Sequence, residues 1–165
     1  MLTDPFRSFW MAGYECADQL NAFGHRVDRL TDDYADLRPF GIQTVREGIR
    51  WSQVETRPYQ YDFLGVGRVF TVARQRGIRV VWDVCHFGFP DDLTPLHPMF
   101  ARRFAALCRA FVLFVHDQQP NDTLVVTPIN EVSFLTHALG RCATYIALMR
   151  GSGLGSEIRP DAGLR

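Results

Sequence analysis

The sequence contains no lysine: all eighteen basic residues are arginine, and eighteen acids balance them to a formal net charge of zero. That balance removes any electrostatic case for a nucleic-acid or anionic-membrane partner. The missing lysine reads first as coding bias and only weakly as function. Cys16, Cys85, Cys108 and Cys142 are widely spaced and form no C-x-x-C pair. Neither a zinc site nor a disulfide framework is indicated, and buried free thiols are expected instead. No apolar run approaches the ~20 residues of a membrane span. The opening "MLTDPFRSFWMAG" has an acid and a proline where a secretory leader needs a basic segment and then an apolar run. A reducing, cytoplasmic setting is the expectation that follows.

What is present is the makings of one globular domain, 165 residues long and 47% hydrophobic. Aromatic residues make up 13% of it, with thirteen Phe and three Trp, which serve either core packing or, as a sharper reading, stacking against sugar rings. Short apolar runs alternate with helical patterns, the mark of successive βα units and a parallel sheet. The strand candidates are Ser8–Tyr14, Ile42–Ile49, Ile78–Phe87 and "TLVVTPIN", which ends at Asn130. Between them, "TDDYADLRPFG" predicts a short helix with Thr31 or Asp32 as its N-cap and Gly41 past its end. In "YDFLGVGRVFTVARQRG", Phe63, Val66, Val69, Phe70 and Ala73 share one helical face and Gly77 closes it. A strong helix runs through "MFARRFAALCRAFVLFVHD". The strand-to-strand step of about 35 to 45 residues suits a βα unit of a barrel or of an open α/β sheet.

Both architectures place functional groups at the carboxyl ends of parallel strands, and there the polar residues gather. Glu15 and Gln19 follow strand one, Arg46 and Glu47 lie late in strand two, Asp83 and His86 late in strand three, and Asn130 and Glu131 end strand four. One such residue means little; four strands in succession argue for a shared site. No Gly-rich phosphate loop follows the first strand, which disfavours dinucleotide binding.

The motifs themselves resemble the (β/α)8-barrel glycosidases of glycoside hydrolase clan A, most closely the family 1 β-glycosidases, over about Phe9 to Phe134. "TPINE" is similar to the strand-four motif, "TVREGIRWSQVE" to the strand-two segment, "VVWDVCHFGFPDDL" to the strand-three segment and "AGYECADQLN" to the region carrying a sugar-binding Gln. The resemblance implies that Glu131 is the general acid/base, that Arg46 lies near the catalytic carboxylates, that His86 holds a sugar hydroxyl and that Gln19 binds sugar. It implies a carbohydrate substrate and no metal or organic cofactor, since such enzymes work with carboxylates alone. The chemistry agrees: a Glu at the end of an apolar strand, partly desolvated, would stay protonated near neutral pH and could deliver a proton to a leaving oxygen. Asn130 can hydrogen-bond a substrate hydroxyl, and Arg46 can keep a neighbouring carboxylate ionised.

Each residue also has a structural alternative. Glu131 could be the N-cap acid of the next helix, Arg46 the partner of Glu15 or Glu47, His86 a satisfied core histidine, and Gln19 an ordinary loop residue. Asp91 and Asp92 read most simply as turn residues, Trp51 and Trp82 as packing. A full barrel takes about 250 residues, and a retaining glycosidase needs a second carboxylate roughly 5–5.5 Å from the acid. The expectation is therefore residues 1–140 as the first half of a barrel with only its first four strands, and residues 141–165 as an atypical tail, frayed or frameshifted. The identity of the nucleophile stays open, with Glu47 or Asp83 as improvised candidates. Two further readings stand beside a truncated glycosidase: a non-catalytic sugar-binding module, and a half-barrel that self-associates through its open sheet edges.

Overall fold

A computed structural model describes residues 6–14, 26–86 and 88–133 of the chain. In chain order its elements are β1 (Met11–Gly13), α1 (Arg26–Asp36), a 3-10 turn (Arg38–Phe40), β2 (Thr44–Gly48), α2 (Trp51–Val54), β3 (Glu55–Arg57), β4 (Gln60–Tyr61), α3 (Leu64–Arg76), β5 (Arg79–Cys85), α4 (Phe100–Gln118) and β6 (Val125–Ile129). Strands β1, β2, β5 and β6 form one sheet in that order, every pairing parallel. The order never reverses, so the described sheet has no switch point of the doubly wound kind and grows in one direction, as the sheet of a barrel does.

Side-chain spacing explains the helices. In α3, Val66, Phe70 and Ala73 are buried at i, i+4 and i+7, and Gly77 ends the helix at φ +68, its N–H returning to the carbonyls of Ala73 and Arg74. In α4 the buried stripe is Arg103, Leu107, Phe111 and Val115, a four-residue repeat that lays one face along the sheet. Trp82, on the helix-facing side of β5, is 1% exposed, with the rings of Phe70 and Phe111 at centroid distances of 4.9 and 5.7 Å. Trp51 is equally buried, against Phe100 and Phe104. Both tryptophans therefore pack the core, and their faces are closed to a sugar.

Several expectations need correcting. Helix α1 begins at Arg26, so Thr31 and Asp32 lie inside it rather than at its cap. Its buried apolar positions, Leu30 and Tyr34, stand four residues apart among charged residues, a stripe too sparse to mark a start. The strands are shorter at both ends than predicted. The segment after β2 carries an unforeseen turn of helix and the β3–β4 hairpin, whose bend at Pro58–Tyr59 holds Tyr59 at φ +66. Strand β6 pairs only with β5 in the described sheet, and its residues alternate in exposure, with Val126 39% exposed. Glu15, Gln19, Cys16, Cys142, Phe87 and the 141–165 tail lie outside the described residues. Among the described ones, Cys85 and Cys108 are free thiols, and no helix is long and apolar enough to cross a membrane.

Candidate active site

Alternation along a strand sends Arg46 and Glu47 to opposite faces of the sheet. Glu47 goes to the helix side, where it is buried and accepts a hydrogen bond of 2.7 Å from the Tyr34 hydroxyl on α1. That excludes it as a carboxylate on the Arg46 face. Arg46 goes to the other face, with Asp83 of β5. Gly48 stands directly opposite Asp83 in the register and places no side chain there, so the Arg46 guanidinium meets the carboxylate side-on. Its Nε donates to Oδ1 at 2.9 Å and its terminal nitrogen lies 2.7 Å from Oδ2. The same terminal nitrogen donates to Asn130 Oδ1 at 2.6 Å.

Asp83 is fully buried, and a third group reaches it: His86 Nδ1 lies 2.8 Å from Oδ2. A buried carboxylate is tolerable only when paired and hydrogen-bonded, and here both oxygens are engaged by an arginine fork and an imidazole. The Arg46 side chain is 30% exposed, His86 only 7%. Asn130 is anchored through its backbone as well, its N–H donating to the Cys85 carbonyl at 2.9 Å and continuing the β5–β6 ladder one residue past the strand. Arg46, Asp83, His86 and Asn130 thus form one connected group across the carboxyl ends of β2, β5 and β6. Arg46, His86 and Asn130 were legible as strand-end residues. Asp83 was visible as a strand-end polar group and an improvised candidate nucleophile, and nothing in its sequence context announces that it is the hub.

Glu131 follows in the turn between β6 and the helical backbone of Val132 and Ser133. It is exposed, not partly desolvated as expected, and its φ of +45 is one of three positive values among the described non-glycine residues. That conformation is disfavoured for a side chain with a Cβ, and here it falls on the residue beside Asn130. Position alone fits both a strand-tip carboxylate and the residue ahead of a helix.

The fold is that of a partial (β/α)8 barrel. Among solved structures it is similar to an exo-β-1,4-mannosidase, Op5Man5 from Opitutaceae bacterium strain TAV5, with a TM-score of 0.61 and 20% sequence identity over 84% of this chain. The chain spans 27% of that neighbour's length. No protein-family model matches the chain, and no curated protein is significantly similar to it.

Behind the strand tips a second polar cluster braces the loops. Glu55 of β3, its side chain fully buried, accepts hydrogen bonds from Trp51 Nε1 (2.5 Å), the Tyr59 amide (2.7 Å) and Arg103 Nε (3.2 Å). Arg103 also holds Asp92 in the loop after β5, at 2.6 Å. That hydrogen bond keeps the Asp92 carboxyl below the usual range. Burial alone would lower the Arg103 guanidinium, but its two carboxylate partners outweigh burial and raise it. Asp92 thus ties a loop to a helix, which is more than a turn residue does. Nearby, burial and the charge of Glu55 push the Tyr61 phenol up to about 12. Two clefts, of about 280 and 240 Å3, are lined by none of the four clustered side chains; one is lined by Arg7, Arg79 and Asp122, the other by Glu47, Gly48 and Asp62.

Proposed function

We propose that the chain carries the acid/base half of a clan A glycosidase site, with Glu131 as general acid/base and Arg46, His86 and Asn130 as the groups that hold the sugar, joined by Gln19. The observation that carries this reading is the connected Arg46–Asp83–His86–Asn130 group at the carboxyl ends of three adjacent parallel strands, with Glu131 next in the chain. An exposed carboxyl beside a fixed amide suits proton delivery to a glycosidic oxygen held on that amide. Asp83 cannot be the improvised nucleophile, because both of its oxygens are occupied and it is fully buried. The second carboxylate that a retaining mechanism requires is therefore assigned to a position outside the described residues. The fold neighbour's name adds β-mannosides to β-glucosides as substrates worth offering.

Aryl β-glucosides and β-mannosides with good and poor leaving groups test the assignment, compared between the chain and Glu131→Gln. A general acid matters most for a poor leaving group, so the variant should lose those substrates far more than activated ones. Equal loss on both, or no loss, would remove Glu131 from that role. A second reading, a sugar-binding module without turnover, draws on the single exposed carboxylate beside this group in the described structure. Saturable sugar binding with no aryl release from any substrate selects it over the first.

A further inference from the structure

We infer that the cleft at the amino ends of β5 and β6 binds a small organic anion, a carboxylate or phosphate head on a compact apolar body. The cleft measures about 280 Å3, near the lower end of small-molecule sites. Its charged lining is Arg7 of the N-terminal segment, Arg74 of α3, Arg79 of β5 and Asp122 of the turn into β6. Arg79 opens the strand that carries Asp83, four residues and about 13 Å further on. The cleft is therefore separate from the strand-tip group, and the inference does not rest on the glycosidase-like reading.

Three guanidinium groups stand against one carboxylate, in a chain whose overall formal charge is zero. That carboxylate is already engaged: Asp122 Oδ1 lies 2.5 Å from a terminal nitrogen of Arg79. Burial alone would raise the Asp122 carboxyl, but the Arg79 hydrogen bond and the charges of Arg79 and Arg7 outweigh burial and lower it. The terminal nitrogen of Arg79 also donates to the Thr123 carbonyl at 3.2 Å, while its buried Nε has no acceptor among the described residues. Arg7 donates to the Gly77 carbonyl at 3.0 Å, a neutral partner that leaves its charge uncancelled. Arg74 is exposed in the last turn of α3, and its side chain has no partner among the described residues. Guanidinium groups favour carboxylate and phosphate oxygens, which they can grip by two donors at once. Phe70, Ile78 and Leu124 line the same cleft and would meet an apolar body, whereas inorganic phosphate would leave them uncovered.

The test titrates the 15N-labelled full 165-residue chain with benzoate, phenyl phosphate, inorganic phosphate and benzyl alcohol. Benzoate, phenyl phosphate or both should saturate near the millimolar range, with shifts at the Arg7 and Arg74 side chains and the Leu124 amide; the tighter of the two names the head group. Inorganic phosphate and benzyl alcohol each lack one half of the recognition and should bind about tenfold more weakly or worse. Arg74→Gln removes an exposed charge that holds no other side chain, and should weaken the better ligand about fivefold or more and flatten its dependence on salt. Benzyl alcohol binding as well as benzoate would reduce the cleft to an apolar hole, and inorganic phosphate matching phenyl phosphate would reduce it to surface charge; either overturns the inference. So does an absence of saturation by both aryl anions, saturation centred on other residues, or unchanged binding in Arg74→Gln. Each of these results leaves the role of Glu131 to its own leaving-group test.

Discussion

Replacing Arg103 with Met keeps the aliphatic stem in the α4 stripe and removes both charge-assisted bonds. Arg103 is 5% exposed, its Glu55 partner has a fully buried side chain, and Trp51 and the Tyr59 amide already use two of that carboxylate's acceptor sites. Breaking a buried pair from one side costs about 3–5 kcal/mol. The Asp92 arm is largely solvent-facing, at 59% exposed, and adds little, which sets the expectation near the lower end, about 3 kcal/mol. With a urea slope of about 2 kcal/mol/M, the midpoint should fall by about 1.5 M. Arg103→Met combined with Glu55→Gln should recover more than half, since the buried charge is gone. Amide exchange at Tyr59 should quicken in the single variant, because the hairpin loses its brace. A single variant within about 0.5 kcal/mol of the parent would show that this cluster is not what secures the hairpin and the loop after β5.

Gly77→Ala should cost about 1 kcal/mol or more through φ +68 alone, since an added Cβ meets nothing within 4 Å; an unchanged denaturation midpoint would contradict it. Phe111→Ala, at 0% exposure between Phe63 and Trp82, should cost about 3–5 kcal/mol in the same assay. In ultraviolet titration Tyr61 should ionise late, near 12. Its folded pKa is raised, so its contribution to stability is full below the ordinary value of about 10 and is lost as pH rises towards 12. Asp92 and Asp122 have lowered pKa values, so their contribution is present above the ordinary carboxylate value of about 3.9 and disappears as pH falls through the folded values. Acid unfolding of Arg103→Met should lack the Asp92 part.

The βα alternation was readable because buried strands such as "RVVWDVC" are mostly apolar and because Gly41 and Gly77 both take the left-handed conformation that ends a helical segment. Helix α1 was misplaced because its start carries charge, and the β3–β4 hairpin was missed because its strands are too short for a period-two pattern. At the site, spacing put Arg46, His86 and Asn130 at strand ends. Parity could have separated Arg46 from Glu47, since adjacent residues of one strand face opposite ways. The hub role of Asp83 was not legible: it depends on a register that sets Gly48 opposite it and on the turn that returns His86 to it. The exposure of Glu131 was likewise hidden, because an apolar strand suggests a buried tip and β6 is open on alternate residues.

On the proposed function, the tips of β2, β5 and β6 form one sugar-holding site. Chemical-shift mapping of the 15N-labelled chain during titration with aryl β-glucoside and aryl β-mannoside tests it most directly. Saturable shifts concentrated at the Arg46 guanidinium, the His86 ring, the Asn130 amide and the Glu131 backbone are expected. Absence of saturable shifts at those four positions, or saturation centred on other residues, would contradict it.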